Sequence, residues 1–132
     1  DGMHTAYDGI SNTLKKGDVN YVFGASLGID VNKSDWFFGA RNEKTDAQGY
    51  KIKIIFNENV RGHLQRTDFF EKSKLHECKY LHFDTFTEIN FYKDTVLFVM
   101  LLKKPIVIRV KNKEAADSFK KFFDTMWKTA KN

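Results

Sequence analysis

Histidine and cysteine are the residue types in this chain best suited to act as nucleophiles or metal ligands, and they do not cluster in the sequence. The 132 residues include one cysteine, Cys78, and four histidines, at positions 4, 63, 76 and 82. No group of them has the paired spacing of a zinc site, so we expect no metal and no cofactor. Gly24 and Gly28 do not form a GxGxxG or GxxxxGK[ST] phosphate loop. A Cys78–His nucleophile pair stays open, although a small apolar residue in a strand is the favoured interpretation of Cys78.

The stretch HECKYLHFD (76–84) comes within one residue of HxKxxxxD, a motif of phosphodiesterases. In that chemistry the histidine attacks phosphorus and the lysine two residues later holds the phosphate, so both side chains must project from one face of a strand. Here Lys79 follows His76 by three residues. Because successive side chains alternate between the faces of a strand, the two residues point to opposite faces. We interpret the match as coincidence.

Hydrophobic spacing predicts the elements that would position such residues in the first half of the chain. Apolar residues at positions 3, 6, 7, 10 and 14 recur every three or four residues, which predicts a helix that ends near Gly17. The segments VNYVFGAS (19–26) and KIKIIFNE (51–58) are rich in β-branched and aromatic residues. Both are typical of buried strands.

Two further helices are predicted around the second of these strands. Residues 32–48 have a short apolar face that includes Trp36, and Gly49 follows them. Residues 58–75 place Val60 and Leu64 one turn apart, although Gly62 weakens that pattern.

The second half of the chain is rich in strands and ends in an amphipathic helix. The segments CKYLHF, FTEINFY, TVLFVMLL and PIVIRV follow one another with short breaks, which predicts strands that are partly antiparallel. In residues 112–132 one helix face would carry the apolar side chains Ala116, Phe119, Phe123, Met126, Trp127 and Ala130. Asn112 would cap this helix. The pattern predicts one α/β domain in which helices are layered on a mixed β-sheet.

The charge distribution favours a solvated lysine surface over a nucleic-acid interface. The formal net charge is +5 and the pI is near 9.2, but most cations are lysines and acidic residues are interleaved with them. The single cysteine favours a reducing, cytoplasmic location. The longest apolar run stops at Lys103-Lys104, so we expect no membrane span.

Four stretches carry a resemblance to a known family: LKKGDVNYVFGAS (14–26), QGYKIKIIFNE (48–58), TEINFYKDTVLF (87–98) and KPIVIRVKNKEAADSFKKFFDTMWKTAK (104–131). Together they resemble the sensor (effector-binding) domain of TrmB-like archaeal transcription regulators, which has a phospholipase-D-like fold. Their order and spacing match those of the family, and the resemblance spans essentially the whole chain. It implies that residues 1–16 are the end of a linker helix or the first helix of the domain, and that residues 17–132 form a single phospholipase-D-like sensor domain.

The resemblance also implies a function without catalysis. In this family a small molecule, typically a sugar, binds the sensor domain and alters DNA binding by an N-terminal winged helix, and a helical linker forms a homodimer. The winged helix is absent from this sequence, so we expect either an excised domain or a stand-alone relative. A ligand-free protein-interaction module is an alternative, and a diverged phosphodiesterase or nuclease is a further one.

The phosphodiesterase motif of a phospholipase-D-like fold is degenerate in this chain. If Asp94 in the YKDT turn matches the motif aspartate, Thr87 takes the place of the histidine and Ile89 that of the lysine. Neither residue can supply the nucleophile or the phosphate anchor. We therefore expect no catalytic residue.

Candidate ligand-binding residues lie where the central strands end, because open α/β sheets leave a crevice there. Sequence positions suggest Ser26, Asn57 and Glu58 for hydroxyl groups and Trp36 for an aromatic surface. Alternatively, Asn57 and Glu58 cap a helix and Trp36 belongs to the core. Two further candidates, Glu88 and Asn90, share the strand face opposite Thr87 and Ile89.

Overall fold

One six-stranded mixed sheet runs through the structure, a computed structural model that describes residues 2–132. The strands are β1 (Val19–Ala25), β2 (Lys51–Asn57), β3 (Glu77–Leu81), β4 (Thr87–Tyr92), β5 (Thr95–Met100) and β6 (Ile106–Lys111). The helices are α1 (Gly2–Thr13), α2 (Val31–Gln48), α3 (Leu64–Glu71) and α4 (Lys113–Thr129). This arrangement confirms the predicted α/β fold.

The order of the strands is β3-β2-β1-β4-β5-β6. β1, β2 and β3 are parallel because a helix crosses over between each consecutive pair. The hairpins that follow make β4, β5 and β6 antiparallel, as the short breaks between their sequences predicted. β3 is one edge of the sheet and β6 is the other.

Helices cover both faces of the sheet, and each face has its own hydrophobic cluster. Helices α1, α2 and α3 lie on one face, which we call the three-helix face, and bury residues such as Ile10, Phe37 and Phe70 against the sheet. Helix α4 covers the other face with Ala116 and Phe123. It begins as predicted, because the Asn112 side chain accepts a 2.9 Å hydrogen bond from the Ala115 backbone N–H.

Two details of the helix predictions were wrong. Residues 58–75 do not form one helix: a short 3₁₀ turn spans Glu58–Val60, and Gly62, at φ 85°, precedes α3. Trp36 lies on the solvent side of α2 with 71% of its surface exposed. The buried side of α2 consists of Phe37, Arg41 and Thr45. Because two of these residues are polar, hydrophobic spacing does not identify the buried side of this helix.

Helix α1 is an integral part of the three-helix face. Met3, Tyr7 and Ile10 are buried against the sheet, and Leu14 continues this row just after the helix. Its further assignment to a linker helix stays a prediction. No helix between residues 2 and 132 is long and apolar enough to cross a membrane.

Candidate functional site

A small cavity lies between the sheet and the three-helix face. Its volume is about 50 Å³. One side of its wall is apolar. The polar side chains that line it include Tyr7, Asn20, Arg41, Thr45, Arg66, Glu88 and Asn90. Polar side chains are rare in protein interiors unless they are paired, so their concentration here marks the cavity as a candidate site.

Strand alternation and two helices bring the polar groups together. Glu88 and Asn90 are two residues apart on β4 and therefore share a face. β1 pairs with β4, which places Asn20 beside Asn90. Tyr7 comes from α1 and Arg66 from α3. The site thus joins four elements that are distant in the chain.

Glu88 is the centre of a buried hydrogen-bond network. Its Oε2 atom accepts hydrogen bonds from the Tyr7 hydroxyl and, at 2.9 Å, from the Asn90 amide. The Asn20 amide donates in turn to Asn90 Oδ1 at 3.2 Å. Burial, together with the nearby Glu88 carboxylate, raises the pKa of Tyr7 well above its usual value. Tyr7 is therefore a neutral donor at physiological pH.

Two buried polar atoms, on residues that line the cavity, have no hydrogen-bond partner within residues 2–132. They are Nη1 of Arg66 and Oδ1 of Asn20, on side chains from residues that are 4% and 3% exposed. The Arg66 guanidinium lies 4.3 Å from the centre of the Phe38 ring. Burial lowers the pKa of Arg66, while the carboxylates of Glu88 and Asp35 oppose that shift. Because an arginine keeps its proton in proteins, the cavity holds a cationic donor with unused hydrogen-bonding capacity.

Arg41 fixes the position of α1 above the cavity. Its guanidinium donates to Asp8 Oδ1 at 2.6 Å, to the Tyr7 carbonyl at 2.7 Å and to Ser11 Oγ at 2.7 Å. This explains why a charged residue occupies the buried side of α2. The contacts hold the Tyr7 side chain over the sheet.

Of the predicted ligand-binding residues, Glu88 and Asn90 line this cavity. Trp36 lines a different cavity of about 180 Å³ beside the start of α2. Ser26 Oγ accepts a 3.1 Å hydrogen bond from the Gly28 N–H. Asn57 donates to the Thr85 carbonyl at 3.0 Å, and Glu58 pairs with Arg61. A role of these other residues in ligand binding stays a prediction.

Sequence reasoning missed Tyr7, Asn20 and Arg66. Tyr7 was assigned only to an apolar helix face, and Arg66 lies in a segment whose helix was wrongly bounded. Asn20 had a signal, because it is an amide within the otherwise apolar strand VNYVFGA. Its alternation with Val22 places it on the three-helix face, where it needs a polar partner.

The degenerate motif positions lie apart from the cavity. Ile89 packs in the cluster under α4, on the face opposite Glu88. Thr87 starts β4, whereas Asp94 lies in the turn beyond the other end of this strand, which is roughly 17 Å long at the usual rise. The Asp94 carbonyl accepts a 2.7 Å hydrogen bond from the Asn112 N–H, so this residue connects the turn to the start of α4.

In the stretch HECKYLHFD, the side chains of His76 and Lys79 lie on opposite faces of the sheet, as predicted. His76 packs against Phe69 and Phe70 on the three-helix face. Lys79 lies 4.7 Å from the Trp127 ring on the other face. Cys78 is partly buried on β3, and burial raises the pKa of its thiol to about 11. Its thiol is therefore protonated at physiological pH, which is unfavourable for a nucleophile.

No group of three or more His, Cys, Asp or Glu residues in the described part of the chain is arranged to hold a metal ion. The cavity instead offers hydrogen-bond donors and acceptors, the two cationic side chains of Arg41 and Arg66, the acidic side chain of Glu88, and an apolar wall. Such a set suits binding of a small organic molecule.

The chain is similar in structure to TrmBL2, an archaeal chromatin protein described as showing a novel mode of DNA binding. The two share 14% sequence identity with a TM-score of 0.68 over 98% of this chain. The match covers 49% of TrmBL2, so the chain spans about half the length of that protein. No protein-family model and no curated protein matches the chain. The structural match confirms, at the level of fold, the predicted resemblance to TrmB-like archaeal proteins.

Proposed function

We propose that this chain is a non-catalytic effector-sensing domain of a transcription regulator, in which a small molecule binds the cavity under α1. The observation that carries the proposal is the buried cavity with two unpartnered polar atoms, Arg66 Nη1 and Asn20 Oδ1. Leaving a buried polar atom unpaired costs about 1–3 kcal/mol, which a ligand can recover by pairing it. The similarity to TrmBL2 supports the regulatory context.

The cavity is suited to signalling because one of its lining residues, Tyr7, belongs to α1 and contacts the sheet. Tyr7 on α1 donates to Glu88, so a ligand that takes part of the hydrogen-bonding capacity of Glu88 competes with a contact that holds α1. A ligand changes the position of α1 only if it binds two arrangements with different affinities. DNA binding would belong to a winged-helix domain that the resemblance implies, within a homodimer. A sugar, the effector class implied by the same resemblance, is one candidate ligand.

A thermal-shift screen tests the proposal directly. The purified chain is heated with sugars, sugar phosphates, nucleotides, amino acids and carboxylic acids. A ligand of the native state adds RT ln(1 + [L]/Kd) to stability, which is about 2.7 kcal/mol at a concentration of 100 Kd. We expect at least one class to raise the melting temperature by several degrees.

A matched pair of variants connects any stabilisation to the cavity. Arg66→Gln removes the buried cation and should abolish the ligand-induced shift. Arg109→Gln makes the same substitution at an exposed position on β6 and should preserve it. Equal shifts in both variants would show that the ligand binds elsewhere.

A ligand-free interaction module is the second candidate function, because β6 is an edge strand with exposed apolar side chains. Ile106, Ile108 and Val110 are 48%, 49% and 37% exposed and lie on the face of α4. Exposed apolar edge strands promote pairing with another chain. Ile108→Lys should lower the molecular mass seen by light scattering if this edge mediates assembly, whereas the sensing proposal does not require that change.

A further inference from the structure

Resting on the proposed function, we propose that the effector is a small zwitterionic α-amino acid whose carboxylate binds Arg66 and whose ammonium group binds Glu88 and Asn20. The proposal concerns the chemical class of the ligand. It follows from the charges, the unpaired atoms and the volume of the cavity, each of which excludes a different set of alternatives.

The charges favour a ligand that carries one charge of each sign. Arg66 and Glu88 both line the cavity, are 4% and 3% exposed, and make no hydrogen bond to each other within the described residues. A simple anion would pair with Arg66 but would face the Glu88 carboxylate, and a simple cation would have the opposite mismatch. The other guanidinium at the cavity, that of Arg41, is already paired with Asp8. A zwitterion leaves no buried charge without a counter-charge.

The unpaired atoms have the polarity that an amino acid needs. Arg66 Nη1 is a donor, and a carboxylate oxygen is its best acceptor because both groups are charged. Asn20 Oδ1 is an acceptor, and an ammonium N–H can donate to it. Among residues 2–132, the hydrogen bonds to the Glu88 carboxylate come from Tyr7 and Asn90 and both end on its Oε2 atom. Its carboxylate therefore retains capacity for another N–H of the same ammonium group.

The volume limits the ligand to a few non-hydrogen atoms. A cavity of about 50 Å³ accommodates roughly three to five water-sized groups, at about 10–15 Å³ for each. Glycine, with about five non-hydrogen atoms, reaches the upper limit of this size and alanine, with about six, exceeds it by about one, whereas a hexose has about twelve and would require the helices to separate. The apolar wall contains Val22, Ile54 and Phe56, which can contact a methyl group. Alanine is therefore the first probe to use.

Calorimetry and thermal shift with alanine test the assignment, with three matched probes. Propionate lacks the ammonium group, ethylamine lacks the carboxylate, and glucose has neither charge. We expect alanine to raise the melting temperature and to titrate with one site for each chain. The three matched probes should each bind at least tenfold more weakly.

Two variants that each remove one charge assign the two ends of the ligand. Arg66→Gln and Glu88→Gln should each weaken alanine binding at least tenfold, while Arg109→Gln and Glu114→Gln, at exposed positions, should leave it unchanged. Glu88→Gln should also reduce the ratio between the affinities for alanine and for propionate. The reason is that the variant lacks the carboxylate that repels an anion. A variant that only destabilises the fold would weaken the binding of both compounds and would not favour propionate over alanine.

The outcomes separate this inference from the proposed function. If glucose or another class stabilises the chain and alanine does not, the amino-acid assignment is wrong while the sensing function stands. If no compound of any class binds, the cavity holds water only and both proposals are wrong. Should the variants fail to fold, the comparison of the four probes on the unaltered chain still decides the assignment.

Discussion

Removing the Tyr7 hydroxyl should measurably destabilise the protein, because this group connects α1 to the sheet. In Tyr7→Phe the Glu88 carboxylate loses one of the two donors to its Oε2 atom, and the Asn90 amide loses its 3.3 Å contact with the hydroxyl oxygen. The aromatic ring and its edge contacts with Phe37 and Phe38 are preserved. The substitution therefore isolates the polar contribution.

A hydrogen bond to a charged group contributes about 1.5–3 kcal/mol, and the buried location of Glu88 favours the upper part of that range. For a chain of this length each kcal/mol shifts the melting temperature by roughly 3–5 °C. We therefore expect Tyr7→Phe to lower the melting temperature by roughly 5–15 °C. Urea titration followed by circular dichroism should give the corresponding loss of unfolding free energy with an unchanged slope.

Tyr21→Phe is the matched control. Tyr21 lies on the opposite face of the sheet, where its ring stacks on Phe91, and no hydrogen bond from its hydroxyl is found within residues 2–132. Removing the Tyr21 hydroxyl should lower the free energy of unfolding by less than about 0.5 kcal/mol. If both variants lose equally little stability, the Tyr7–Glu88 contact does not hold α1, and the route proposed for signalling is refuted.

Three further predictions concern the sheet and its neighbours. In Gly24→Ala the new Cβ would lie 2.6 Å from the Thr87 carbonyl oxygen, at a residue whose φ is 71°. Urea titration should therefore show a loss of roughly 1–3 kcal/mol in the free energy of unfolding. The control Gly39→Ala, whose new Cβ has no neighbour within 4 Å, should stabilise α2 by about 0.5–1 kcal/mol. Burial lowers the pKa of His76 in the folded chain, so the unfolded chain binds a proton at this side chain first. The free energy of unfolding, measured by urea titration, should therefore fall as the pH decreases below about 6.5, the usual pKa of histidine, and His76→Asn should flatten this dependence. A generic phosphodiester should not be hydrolysed by the pure protein, because Thr87 and Ile89 cannot provide the required groups; activity that survives His76→Ala would show that this alignment is wrong.

The types of the helices and strands were predictable from the sequence where local hydrophobic spacing or a capping residue determines them. Helix α4 has a continuous apolar stripe and a capping Asn112, and the strands have alternating or continuous apolar runs, so their types and the mixed sheet followed directly. The break at Gly62 was underestimated because Val60 and Leu64 have helical spacing although one is fully buried and the other is 59% exposed. Whether a residue with helical spacing is buried or exposed depends here on the tertiary fold and not on the spacing.

The candidate site was predicted only in part, because it depends on pairing across the sheet and between layers. Glu88 and Asn90 were identified from strand alternation alone, which is a local property. Arg66 and Tyr7 reach the same cavity from helices distant in the chain, and a single sequence has no signal for that meeting. Arg41 is also buried for a tertiary reason, since its partners belong to α1.

The two faces of β4 differ in chemical character, and this difference underlies the proposal of a binding site. Ile89 and Phe91 point into the cluster that α4 closes, where Phe119 and Phe123 contact the sheet. The lysines of that layer, Lys53 and Lys79, lie over the Trp127 ring, and neither Thr87 nor Ile89 offers a nucleophile or a phosphate anchor there. On the other face, Glu88 and Asn90 provide polar groups, but their hydrogen bonds already position α1 through Tyr7. Under the proposed function, a ligand bound to Glu88 would share this carboxylate with the Tyr7 contact, which would couple ligand binding to the position of α1.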